Sequence, residues 1–148
     1  MQTPDSSSSA SMSDHFYTTD PSDFTASGYR FEDITGYLYR DKFANTIALH
    51  HWYNPTAYDN FYAEDLPEEP SDNGYNYLGI VGYIYRDPVR GTVPLLRWYH
   101  DDLVNHFYTT DSKGEIAPAI GYKFEGITGY LYRNPVEGTI PLFRWFRI

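Results

Sequence analysis

Three near-copies of one aromatic pattern constrain this chain more than any other feature. Gly36-Tyr37-Leu38-Tyr39-Arg40 returns as Gly82-Tyr83-Ile84-Tyr85-Arg86 and as Gly129-Tyr130-Leu131-Tyr132-Arg133, at spacings of 46 and 47 residues. A unit of that length is one supersecondary element that cannot bury its own apolar face, so the copies must pack on each other to make a core. Any binding site built on the unit is then expected up to three times.

A second pattern precedes the first in each unit. Asp14-His15-Phe16-Tyr17-Thr18-Thr19-Asp20 returns as Asp59-Asn60-Phe61-Tyr62-Ala63-Glu64-Asp65 and as Asn105-His106-Phe107-Tyr108-Thr109-Thr110-Asp111. All three are short, aromatic and β-prone. A further strand-like segment, Ala48-Leu49-His50-His51-Trp52-Tyr53, returns as Pro94-Leu95-Leu96-Arg97-Trp98-Tyr99 and, at the C-terminus, as Pro141-Leu142-Phe143-Arg144-Trp145-Phe146. The first unit has no such strand in front of it. The C-terminal strand is therefore expected to come round and complete the N-terminal unit, which closes a ring and removes two exposed sheet edges.

Residues 112–120 have room for a short helical turn, but their Gly and Pro exclude a long helix. Residues 122–133 alternate and carry Gly126 and Gly129, which predicts two strands with a tight bend. About four strands per unit and about twelve in all predict an all-β, pseudo-threefold closed ring of three repeats. A β-trefoil is the favoured architecture. A three-bladed, propeller-like ring is the alternative, since propellers typically have about four to eight blades. Residues 1–13 read as a disordered Ser-rich tail, and residues 14–148 as a single three-repeat domain.

With 148 residues the chain is long enough for one real core. Its aromatic content of 19% includes 16 Tyr, a residue suited to positions with one dry and one wet end. The net charge of −9 repels phosphate, which argues against nucleic acid and anionic membrane surfaces as partners. There is no Cys, so disulfides, thiolate metal sites and Cys nucleophiles are excluded. The N-terminal segment lacks the basic and apolar regions of a signal peptide, and no apolar run approaches a membrane span. A cytoplasmic location is expected, with non-classical secretion as a variant of it.

Catalysis finds little support. No HExxH, GxSxG or phosphate-cradling glycine loop is present, and a triplicated unit rarely builds one asymmetric active site. Metal binding fares no better. Adjacent His50 and His51 point to opposite faces of a strand, and His15 and His106 belong to different units. No metal and no cofactor are expected.

Ligand binding at repeated shallow pockets is the stronger reading. Each unit supplies a Trp (Trp52, Trp98, Trp145), several Tyr and an Arg (Arg40, Arg86, Arg133), and two units add Arg97 and Arg144, where the other offers His51. Aromatic platforms edged by hydrogen-bonding groups suit sugars and other small polar ligands. The Trp residues alternate with apolar neighbours, which suggests a face turned to the core. Within the His-Phe-Tyr-Thr-Thr-Asp run, His and Tyr share one strand face and Phe lies on the other. The Phe face reads as core. That leaves His15, Tyr17 and Asp20, and His106, Tyr108 and Asp111, nearer solvent as ligand-binding residues. Asn60 and Ala63 break the pattern in the second unit, so two good sites are expected rather than three.

The run His106 to Thr110, followed by Gly121 to Tyr130 and Gly138 to Arg144, resembles an uncharacterised repeat domain of bacterial and fungal proteins, one often appended to secreted hydrolases or standing alone. The likeness covers almost everything after residue 13. Attachment to hydrolases is similar to the habit of carbohydrate-binding modules, and an acidic, cysteine-free threefold chain resembles the cytoplasmic lectins of fungi. The resemblance implies a non-enzymatic, lectin-like module whose partners are glycans or glycoproteins, with a homo-oligomer compatible. The alternative is a protein-interaction or protease-inhibitor scaffold acting through the one distinctive loop, residues 66–73.

Overall fold

The structure is a computed structural model and describes residues 14–22, 28–64 and 74–147. The predicted tail and the distinctive loop at 66–73 lie outside the described residues. Nine strands are present among them: β1 (His15–Thr18), β2 (Tyr29–Tyr39), β3 (Thr46–Asn54), β4 (Asp59–Ala63), β5 (Asn76–Tyr85), β6 (Thr92–His100), β7 (Asn105–Thr109), β8 (Lys123–Tyr132) and β9 (Thr139–Arg147). One 3-10 turn, Ala117–Ile120, precedes β8. The protein is all-β, and every strand pairing is antiparallel. Among the described residues no helix is long and apolar enough to cross a membrane.

The strands fall into three units of three. β3 lies between β4 and β5, and β6 lies between β7 and β8. In the remaining unit the middle strand is β9, which pairs with β1 from His15↔Phe146 to Thr18↔Phe143 and with β2 from Tyr29↔Arg147 to Tyr39↔Thr139. The first unit thus takes its central strand from the other end of the chain. Short pairings at Tyr39↔Tyr83, Tyr85↔Tyr130 and Tyr37↔Tyr132 join β2, β5 and β8 to one another.

The expected count of about four strands per unit is corrected to three. Residues 122–133 hold one long strand, not two with a bend. Their glycines produce bulges instead: the β6–β8 register shifts between Leu95 and Leu96 and between Arg97 and Trp98, opposite Gly129 and Gly126. Gly126 has φ +136°, a conformation that glycine alone adopts readily. β5 carries matching shifts against β3, and β2 carries its own against β9.

The core is built in repeat-related layers. Tyr17, Tyr62 and Tyr108 form one layer, Leu49, Leu95 and Leu142 the next, then Leu38, Ile84 and Leu131, all 1–2% exposed. A second tyrosine layer, Tyr39, Tyr85 and Tyr132, follows, with hydroxyls 3.3 and 3.4 Å apart and rings edge to face. The β9 register places the two tyrosine layers at opposite ends, since Tyr17 lies beside Arg144 and Tyr39 beside Thr139.

The glycine of each Gly-Tyr-X-Tyr-Arg motif is where these layers meet. A Cβ on Gly36 would stand 1.9 Å from Leu131 Cδ1 and 2.9 Å from the Tyr132 carbonyl oxygen. Gly82 bears the same relation to Leu38 and Tyr39, and Gly129 to Ile84 and Tyr85. The motif therefore encodes contact between units: its glycine receives the aliphatic side chain of a neighbouring copy.

Candidate functional site

The His-Phe-Tyr segments do split into two faces, but the His and Tyr face, expected nearer solvent, is buried. His15, Tyr17 and Tyr108 are 1–2% exposed and His106 is 8% exposed, while Phe16 and Phe61 are half-buried and Phe107, 1% exposed, packs with Ala117 and Tyr122 in a second core cluster. The reason lies in the tyrosine hydroxyls. Tyr17 donates to the Tyr108 carbonyl at 2.7 Å, Tyr108 to the Tyr62 carbonyl at 2.7 Å, and Tyr62 to the Tyr17 carbonyl at 3.0 Å. The same hydroxyls accept from the backbone N–H groups of Tyr108, Tyr62 and Tyr17, at 2.7–2.8 Å. The rings meet edge to face with centroids 5.3–5.4 Å apart. The three tyrosines thus satisfy the free backbone edges of the three short strands, and burial drives all three phenol pKa values upward. The Tyr17 and Tyr108 hydroxyls are thus engaged by backbone, and their side chains are buried.

The buried histidines belong to a polar layer next to this ring. His106 Nδ1 meets Asp59 Oδ2 at 2.6 Å, and its Nε2 lies 3.4 Å from Glu125 Oε1. Arg97 Nε donates to the same Glu125 oxygen at 2.9 Å. In the first unit, His15 Nε2 lies 3.3 Å from Glu32 Oε1, and Arg144 Nε donates to that oxygen at 2.8 Å. The two His–Glu–Arg clusters match atom for atom. In the second unit His51 instead meets Asn60 Oδ1 at 2.8 Å and stacks on Tyr62 at 4.3 Å.

Each unit's Phe packs against the next unit's basic group. Phe16 faces His51 at 5.8 Å, the Phe61 ring carries Arg97 at 5.1 Å, and the Phe107 ring carries Arg144 at 5.1 Å. Between the first and second units a cleft of about 230 Å³ remains, lined by residues 16–20, His51 and residues 78–81.

One substitution separates the two histidines electrostatically. The neighbour that bonds His106 is Asp59, while the repeat position matching Asp59 is Asn105 in the third unit. Burial opposes a charged His106, but its bonds to Asp59 and Glu125 outweigh that and raise its pKa. Burial dominates at His15, and Glu32 does not overcome it, so its pKa is lowered. By linkage, the His106 contribution to stability is complete below the unfolded pKa and is lost as pH rises through the raised folded value. His15 folds as the neutral imidazole, so its contribution is complete above the unfolded value of about 6.5 and is lost as pH falls from there through the lowered folded value. Imidazole NMR titration is expected to place the two histidines on opposite sides of that value, and Asp59→Asn to move His106 downward. Coincident titration of His15 and His106 would contradict the assignment.

Asp14, which accepts from the Tyr29 hydroxyl and lies 3.3 Å from Arg147 Nη2, is pushed up to about 6, mainly by burial. Tyr75 and Tyr122 donate in the same way to Asp59 and Asn105, at 2.5 and 3.0 Å.

The remaining predicted residues are dispersed. Asp20 is exposed and accepts from Ser22 N and Oγ at 2.9 and 2.7 Å. Asp111 accepts from the backbone N–H groups of Lys113 and Glu115 at 3.1 and 3.0 Å. Both are turn residues. Arg40, Arg86 and Arg133 are exposed and follow the second tyrosine layer. Arg86 pairs with Glu64 at 3.4 Å beside a cleft of about 460 Å³. Of the predicted set, the fold brings together His15 with Arg144, His106 with Arg97, and Tyr17 with Tyr108.

The aromatic platforms come from residues that the repeat reading passed over. Phe31, Tyr77 and Phe124 occupy one repeat position and are 50%, 44% and 53% exposed. Each rests on a tryptophan: Phe31 on Trp145 at 5.5 Å, Tyr77 on Trp52 at 4.9 Å and Phe124 on Trp98 at 5.4 Å. Trp52 is buried and the other two are half-buried. Tyr77 adds a hydroxyl held 2.9 Å from His50 Nδ1. The signal in sequence was the aromatic two residues after Tyr29, Tyr75 and Tyr122 in all three units. Among the described residues no cluster of three or more His, Asp or Glu side chains is placed to hold a metal ion.

A family model described as a domain of unknown function (DUF5648) matches residues 7–85 and again residues 69–148. No curated protein and no solved structure matches the chain.

Proposed function

We propose that this chain, which belongs to the DUF5648 domain family, is a non-enzymatic carbohydrate-binding module. One observation carries the reading: each unit exposes an aromatic ring at the same repeat position, Phe31, Tyr77 or Phe124, braced from beneath by a tryptophan. A pyranose presents an apolar C–H face that packs on such a ring, and its hydroxyls need polar neighbours. Bracing by Trp145, Trp52 and Trp98 fixes each ring before the ligand arrives, which lowers the ordering cost of binding. Three weak sites on one body would gain avidity of about 10²–10⁴ on a surface bearing repeated sugars. The polar groups that a catalytic reading would need are already engaged. His106 is held between two carboxylates, and the tyrosine hydroxyls are consumed by backbone.

Within this proposal, the joining of three strands into one antiparallel sheet in each unit favours the propeller-like arrangement over the trefoil. The protein-interaction reading has its own support in Leu78 and Ile80, 58% and 50% exposed along the cleft between the first two units.

Glycan-array binding by the wild-type chain is expected, together with its loss in a Phe31→Ala, Tyr77→Ala, Phe124→Ala triple variant. About half of each side chain is exposed, so the variant should melt cooperatively at a lowered temperature, and binding is compared well below that transition. A blank array across neutral and acidic glycans would sink the proposal.

A further inference from the structure

The two His–Glu–Arg clusters differ in one respect. Arg144 uses Nε on Glu32, stacks on Phe107, and spends its outer nitrogens on Glu115: Nη1 donates to Oε2 at 2.8 Å and Nη2 to Oε1 at 3.0 Å. Thr109 Oγ1 donates to the same carboxylate at 2.5 Å. Glu115 reaches this position with φ +55°, a left-handed conformation that L side chains rarely adopt. A bidentate contact with an arginine in a sheltered groove offsets that strain.

Arg97 repeats the arrangement without the carboxylate. Its Nε donates to Glu125 at 2.9 Å and its guanidinium lies over Phe61 at 5.1 Å. Its side chain is 27% exposed, against 9% for Arg144. Among the described residues no carboxylate meets its outer nitrogens. The protein itself therefore displays, one unit away, how a carboxylate seats on this framework.

We infer that Arg97, over Phe61 and beside Glu125, anchors a carboxylate-binding site for an acidic sugar of the uronic type. The carboxylate would lie across Nη1 and Nη2 as Glu115 lies across Arg144. Phe61 holds the guanidinium plane from one side, and Glu125 fixes its rotation through Nε. Choosing a sugar as the bearer of the carboxylate rests on the carbohydrate-binding proposal. The carboxylate requirement rests only on the internal comparison.

The test is an arginine side-chain NMR titration of the full chain with acetate, glucuronate, glucose and a short acidic peptide. Glu69 stands as far after Phe61 as Glu115 does after Phe107, so a Glu69→Gln variant is titrated in parallel. Acetate and glucuronate should shift the Arg97 signals in one or both proteins, with glucuronate the tighter, while glucose leaves them unchanged. Arg144 should stay silent until Glu115→Gln frees it. Arg97→Lys keeps the charge but loses the fork, and should weaken glucuronate about tenfold or more.

Arg97 signals that ignore acetate and glucuronate in both proteins, up to tens of millimolar, overturn the inference. A response to the acidic peptide without one to glucuronate overturns the sugar assignment. Glycans seated on the aromatic platforms with Arg97 silent would defeat this inference alone. Arg97 answering glucuronate with empty platforms would defeat the platform proposal alone.

Discussion

Deletion of residues 139–148 is expected to abolish cooperative unfolding of the remaining chain. β9 is the middle strand of its unit, so its loss strips hydrogen-bond partners from β1 and β2 together. It also removes Leu142, 1% exposed, from the aliphatic layer of the core, and Arg144 from between Glu32 and Glu115. A buried leucine truncated to alanine typically costs about 2–5 kcal/mol, and a whole domain is stable by only about 5–15 kcal/mol. Removing Arg144 adds to this, because it leaves Glu32 and Glu115 half-buried without their cation. Circular dichroism of the truncated chain should show no sharp thermal transition. A synthetic peptide spanning the deleted residues, added in excess, should restore one. A truncated chain that still melts cooperatively would show that β9 is an accessory strand and that the first unit stands without it.

Tyr108→Phe is expected to cost about 2–6 kcal/mol, which is large for the loss of one oxygen atom. The hydroxyl both donates to the Tyr62 carbonyl and accepts from the Tyr62 N–H, so its removal orphans two fully buried backbone groups. Each orphan costs about 1–3 kcal/mol, whereas an ordinary hydrogen bond nets about 1 kcal/mol. The phenylalanine ring keeps the edge-to-face packing, so the change isolates the polar contribution. Tyr39→Phe supplies the control. Its hydroxyl accepts from the Tyr85 hydroxyl at 3.3 Å and also neighbours Tyr132, so its loss strands tyrosine hydroxyls and no backbone group. Urea unfolding should therefore show a much smaller effect at Tyr39 than at Tyr108. Equal effects at the two positions would mean that the backbone bonds of the first ring contribute little beyond ring packing.

Much of the architecture was legible before any coordinates. The threefold repeat and the β-class follow from local pattern. Asn45, Gly91 and Gly138 recur at one repeat position and all adopt positive φ, between +66° and +88°. Alternation also separated His15 and Tyr17 from Phe16 correctly. What alternation cannot do is say which of two faces is inward. Tyr is compatible with either, and the choice is made by backbone groups on strands about 45 residues away in sequence. The same limit explains the candidate site. His15, Tyr17, His106 and Tyr108 looked like surface ligands because they are polar and repeated. The tyrosines satisfy a neighbouring unit's buried backbone groups, and the histidines meet carboxylates. The strand count failed for a related reason, since a glycine inside a strand pattern signals a bulge as readily as a bend.

The sequence by itself determined that three similar β units must pack together, because none can bury its own apolar face. It also determined that the units are unequal, through Asn60, Asn105 and His51. Only the tertiary structure decided that the tyrosines face inward, that β9 is the central strand of the first unit, and that Phe31, Tyr77 and Phe124 stand outside on their tryptophans. Those outcomes depend on hydrogen bonds and contacts between units, and such contacts are set by the three-dimensional meeting of distant segments that local residue patterns do not record.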